Sequence, residues 1–187
     1  MGPGRRDWRA AGPAPAAGGT ASVPSGDFLQ TGNAHFLAQR YTEAIAAYTQ
    51  AIETAPRDAR AYKHRGLAYA KLGDMQQAQQ DLSRAIALDP QDAVAHNQRG
   101  IASFAAGSAQ AALKDFTKTI ELQPQLAEAY NNRGIIARKL GDYRQARQLQ
   151  NETFTRLRRG VGEDHPDTLF AASLLGLALW SLGDYQQ

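Results

Sequence analysis

The 187-residue sequence has no cysteine. That excludes a disulfide framework, a thiol nucleophile and a thiolate-held zinc. No apolar run approaches the ~18 residues a membrane span requires, so no membrane segment is expected. A broad excess of one charge is missing too. The formal charge is +3, of which residues 1–26 carry +2, leaving +1 on everything after them. A body so close to neutral lacks the positive field that binds phosphate backbones, and nucleic acid is not an expected partner. Catalytic signatures are also lacking. There is no G-x-x-x-x-G-K-[ST] phosphate loop, no G-x-S-x-G elbow and no H-E-x-x-H pair. His35, His64, His96 and His165 are scattered along the chain and read as helix-surface or capping residues. Asp164-His165-Pro166-Asp167 reads as a helix start rather than a metal site. No metal, no cofactor and no enzymatic activity are expected.

What is present divides in two. Residues 1–26 hold six Gly, four Pro and six Ala, a composition with little to bury, and they read as a disordered tail. The remainder, 27–187, reads as one folded domain. The tail lacks the apolar stretch of a secretory signal, so a cytoplasmic location is expected.

The body repeats itself. Pro56, Pro90 and Pro124 are spaced by 34 residues, as are Gly32, Gly66, Gly100 and Gly134. Ala44, Ala78, Ala112 and Ala146 keep the same interval, and a bulky residue recurs in step at Tyr48, Leu82 and Phe116. Self-similarity at this period marks a helical solenoid. Each unit reads as two helices, A and B. A mid-helix Gly on A faces a small Ala on B, Leu-Gly-Asp triplets at 72–74 and 140–142 end A and cap B, and Pro stops B.

This pattern resembles the tetratricopeptide repeat, as in Ala61-Tyr62-Lys63-His64-Arg65-Gly66-Leu67-Ala68-Tyr69-Ala70-Lys71-Leu72-Gly73-Asp74. The resemblance implies an all-α, right-handed superhelix of four helix pairs plus one extra C-terminal helix. Repeats fall at about 25–58, 59–92, 93–126 and 127–168, with a partial one at 169–187. Helices are expected at about 26–39, 42–55, 59–72, 75–88, 93–106, 109–122, 127–140, 143–159 and 166–182. From Gly141-Asp142-Tyr143 to Gly183-Asp184-Tyr185 the spacing is 42 residues. The segment 158–169 there is similar to the linker of kinesin-light-chain-type repeats. Pro166 is expected in the first turn of the last helix, with Asp164 or His165 as its cap.

The resemblance further implies a groove lined by A-helix positions two, five, nine, twelve and thirteen. Those positions give Leu29, Asn33, Phe36 and Leu37, then Arg60, Lys63, Leu67 and Lys71. They continue with Val94, Asn97, Ile101 and Phe104, then Glu128, Asn131, Ile135, Arg138 and Lys139. Asn33, Arg60, Lys63, Leu67, Lys71, Asn97, Ile101, Asn131 and Arg138 are the candidate peptide-binding residues. Asn can bond a peptide backbone through donor and acceptor, and Lys and Arg can pair carboxylates. The expected function is a non-catalytic scaffold that docks an extended or helical acidic segment of another protein. The alternative is a terminal part of a larger regulatory protein whose array controls an ATPase or kinase. Relatives that clamp a chaperone C-terminus use Lys, Asn, Asn, Lys and Arg. The corresponding residues here are Leu29, Asn33, His64, Val94 and Gln98, or Lys63, Leu67, Gln98, Glu128 and Asn132. Each set matches once, so that clamp is not expected. The helix at 166–182 is apolar around much of its circumference. This predicts either a homodimer through it or a continuation of the array.

Overall fold

The computed structural model describes residues 25–181 and Gly183. Among these are nine α-helices and no strand. They are α1 (Ser25–Leu37), α2 (Tyr41–Thr54), α3 (Ala59–Leu72), α4 (Met75–Leu88), α5 (Ala93–Ala105), α6 (Ala109–Leu122), α7 (Ala127–Lys139), α8 (Tyr143–Gly160) and α9 (Pro166–Ser181). The expected tail lies outside the described residues except for Ser25 and Gly26, which open α1 rather than precede it. Each helix packs on the next, and odd helices also touch their odd neighbours. The result is an all-α, right-handed solenoid with α1, α3, α5, α7 and α9 as its A helices. No described helix is long and apolar enough to cross a membrane.

The periodic glycines set the spacing within each pair. A Cβ on Gly66 would meet Leu82 Cγ at 3.0 Å, and one on Gly100 would meet Phe116 Cε1 at 2.9 Å. One on Gly32 would run into the Tyr48 ring. The bulky B residue therefore sits directly over the glycine, and Tyr48, Leu82 and Phe116 are almost fully buried. Between helices the turns follow their sequence. Gly73 ends α3 in the left-handed region at φ 85°, which costs a residue without Cβ nothing. Asp74 and Asp142 then cap α4 and α8, accepting from the amides of Gln77 and Gln145 at 3.0 and 2.9 Å. The first repeat has Gln39 in the same left-handed place, at φ 59°.

Two polar devices recur in register. Tyr62 and Tyr130 donate their hydroxyls to the carbonyls of Pro56 and Pro124 at 3.3 and 3.1 Å, tying each A helix to the turn before it. In the third repeat His96 takes this role, with Nε2 3.2 Å from the Pro90 carbonyl and Nδ1 3.3 Å from Asp115. Between A and B, Arg65 makes a two-pronged pair with Asp81 (2.7 and 2.8 Å), and Arg99 does the same with Asp115 (2.8 and 2.6 Å).

The fourth repeat keeps the helices and loses both the fork and the apolar cover. Leu149 stands where Asp81 and Asp115 stand, so Arg133 makes no fork here: it meets Glu152 at 3.6 Å and lies over the Tyr130 ring at 5.6 Å, and its Nε is buried without a partner. Burial pushes the Arg133 pKa down. Gln150 takes the place of Tyr48, Leu82 and Phe116 over Gly134. The α8 helix is 18 residues long against 14 for α2, α4 and α6, which accounts for part of the longer spacing. The α9 helix starts at Pro166, and of the two expected caps it is His165 whose Nδ1 accepts from the Asp167 amide at 3.2 Å.

Candidate functional site

The candidate binding face is the run of A-helix positions, one set per repeat. Every A helix shows the same side to this face because the 34-residue interval, and the 42-residue interval after Gly134, restore the register. The structure distributes the candidate residues among three conditions.

Some are tied into the fold. Asn33 accepts a hydrogen bond from the Tyr48 hydroxyl at 2.9 Å through Oδ1. Burial pushes the Tyr48 phenol up to about 12, so it remains a donor over the whole physiological range. Lys63 Nζ lies 2.6 Å from Asp92 Oδ2, and both side chains are less than one-fifth exposed. Burial pushes the Asp92 carboxyl up, but Lys63 and the first amides of α5 outweigh it and hold the group below the ordinary carboxylate value. Arg60 forks onto its own helix cap, Asp58, at 3.0 and 2.8 Å, and keeps that carboxyl low through this bond. The Arg60 side chain itself is exposed.

Others are buried at the base of the face. Asn97 and Asn131 stand one repeat apart, and in each the Oδ1 is buried without a partner. Leu67 and Ile101 are half-buried, with Ile101 packed on the cluster around Phe116. Beside them His64 stacks on Tyr48 with ring centroids 5.7 Å apart. Burial, and then Lys63, lower its pKa.

The third group faces outward. Lys71 is exposed at the end of α3, and Arg138 is half-buried at the end of α7. Lys139 sits over the Phe104 ring at 4.9 Å, a cation–π contact between neighbouring A helices. A hollow of about 370 Å³ opens beside it, lined by Ile135, Arg138, Lys139 and Tyr143.

Sequence reasoning left one stretch out of this face. With the 42-residue step, Phe170, Ser173, Leu177 and Trp180 occupy in α9 the register of Arg60, Lys63, Leu67 and Ala70 in α3. Phe170, Leu177 and Trp180 are exposed, Trp180 to 68%. The interval from Gly134 to Gly176 carries the same shift as that between the Gly-Asp-Tyr triplets and could have placed them. Among the described residues no three His, Asp or Glu side chains converge as a metal site would need.

Comparison with known proteins gives this arrangement relatives. Models of the tetratricopeptide repeat match residues 32–97 and 125–187. Among solved structures, the first such domain of Spaghetti (RPAP3) bound to HSP90 peptide SRMEEVD has 31% identity and a TM-score of 0.62, covering 63% of this chain and 93% of that one. MamA has 23% identity and a TM-score of 0.75, covering 85% and 82%. YrrB, described as having an unusual peptide-binding site, has 22% identity and a TM-score of 0.70, covering 82% and 76%. Hsp70-Hsp90 organizing protein 1 of Glycine max is 42% identical over 55 residues, 29% of this chain. The chain spans about a tenth of the length of the curated relatives it matches. With its period, its glycine-over-bulk packing and these matches in agreement, the chain belongs to the tetratricopeptide-repeat family.

Proposed function

We propose that the chain is a non-catalytic scaffold that holds an acidic segment of another protein along its A-helix face. The observation that carries this reading is the condition of the cations. Lys71, Arg138 and Lys139 remain on the outer side, while Glu128 is the acid at the groove positions read from the sequence. Apolar Phe170, Leu177 and Trp180 continue the same register and suit an aromatic or aliphatic anchor. The RPAP3 relative's peptide, with two Glu and one Asp, has the charge this face would attract.

A free chaperone-type C-terminus is not the favoured ligand. In one frame the single matching clamp residue is Lys63, which already serves Asp92. In the other it is Asn33, whose Oδ1 already accepts from Tyr48. The face suits an internal acidic segment with an apolar anchor, for which a terminal carboxylate is unnecessary.

Fluorescence anisotropy with an acidic, Trp- or Leu-containing peptide tests this, against its Lys-substituted counterpart. The acidic peptide is expected to bind more tightly, equally well amidated or free, and to weaken with salt. Lys71→Glu/Lys139→Glu is expected to reduce affinity by roughly tenfold, on the scale of two rim charges reversed. Equal binding of the basic peptide, or indifference to both substitutions, sinks the reading.

A further inference from the structure

In four repeats the A-helix glycine is covered by a bulky side chain from a B helix laid antiparallel to it: Gly32 by Tyr48, Gly66 by Leu82, Gly100 by Phe116 and Gly134 by Gln150. In register, Gly176 is the fifth of these. Among the described residues, nothing beyond the adjoining backbone of its own helix lies within 4 Å of where its Cβ would be. Beside it, between the start of α8 and the second half of α9, lies an open cleft of about 810 Å³. Leu175 and Leu179 form its apolar wall, and Arg144, Gln148 and Asn151 form part of its polar one. Leu175 stands in the register of Arg65 and Arg99, the residues that grip a B helix elsewhere in the array. The cleft and the glycine together are thus the seat of a helix, built like four occupied ones.

We propose that this seat takes helix α9 of a second copy of the chain, laid antiparallel across α9 about a two-fold axis. This goes beyond the peptide-binding reading and does not depend on it. Three features select a second copy. Leu169 lies two turns from Gly176 on the same side of α9 and is 57% exposed, so in an antiparallel pair Leu169 of each copy covers Gly176 of the other. Thr168–Ser181 contains no charged residue, so no like charges meet at the axis. Around the seat the charges are complementary. Glu163, Asp164 and Asp167 are exposed at the start of α9, while the cleft near its end is lined by Arg144 and Arg147 against the one acid Asp142, which is already the cap of α8. Antiparallel pairing brings the acidic turn of one copy to Arg144 of the other. Within one copy Glu163 comes only within 3.9 Å of Arg158.

Sedimentation equilibrium of the 187-residue chain tests the pairing. A dimer is expected at high micromolar concentration. Gly176→Leu fills the notch at a helical position that is open in the single copy, so it is expected to leave helicity intact and return a monomer mass. Leu169→Glu, at an exposed site, provides the same result should Gly176→Leu disturb the fold. Arg144→Glu is expected to weaken the dimer, and adding Asp164→Arg to restore it. A monomer for the unsubstituted chain overturns the proposal. So does a dimer that survives both Gly176→Leu and Leu169→Glu, or an Arg144→Glu defect that Asp164→Arg does not repair.

Discussion

A side-chain amide removed from water without a hydrogen bond costs about 1–3 kcal/mol. Gln150 is in that state: it is 1% exposed, and neither Nε2 nor Oε1 has a partner. Its register partners Tyr48, Leu82 and Phe116 put carbon or ring at the same place. Gln150→Leu is therefore expected to stabilise the chain by about 1–2 kcal/mol, seen as a higher midpoint in chemical denaturation with an unchanged slope. A lower midpoint would show that the amide is bonded in solution. Glycine at this seam responds in the opposite sense. At Gly66 the carbonyl of Ala78 stands 3.2 Å from a new Cβ, and backbone does not yield as a side-chain tip does. Overpacking there outweighs the gain in helix propensity that Ala brings.

Between elements, the pair Lys63–Asp92 joins α3 to the cap of α5, and its sign under titration is definite. The Asp92 carboxyl lies below its ordinary value of about 4 in the folded chain, so the pair stabilises above that value. The contribution is lost as pH falls through the lower folded value. Lys63→Met is expected to cost about 2 kcal/mol at neutral pH, with the difference from the parent closing below about pH 4. A difference that stays constant across that range would mean Lys63 acts by packing alone. The same pair shows where the sequence was readable. Helices and turns were legible because Gly, Ala and Pro recur in fixed columns, and each column has a local steric reason. The partner of Lys63 was not, since Asp92 is 29 residues away and reads by itself as a helix cap. Nor was the depth of Asn97 and Asn131, because polarity alone does not say how far a position sinks below the face. In α9 the sequence showed an apolar excess around much of the circumference without dividing it. The register divides it between a continuation of the groove positions, Phe170, Leu177 and Trp180, and the seat around Gly176.

At the scale of the molecule, a solenoid's units touch chiefly their neighbours, so stability is distributed along it link by link. The links at α3–α4 and α5–α6 carry the Arg–Asp forks, whereas α7–α8 has Leu149 opposite Arg133. Native-state hydrogen exchange is expected to show α7 and α8 opening at lower free energy than α3 to α6. Leu149→Asp, which restores the carboxylate, is expected to narrow that gap, and uniform protection along the array would refute the idea. The missing carboxylate then acquires a mechanical meaning. A ligand spanning the whole face as proposed would grip a stiff rail over the second and third repeats and a yielding plate over the fourth. Part of its binding free energy goes into quieting that plate, so a tighter grip and a slower-opening fourth repeat become two readings of one equilibrium. Stiffening the plate beforehand by Leu149→Asp should strengthen binding without adding any contact to the ligand.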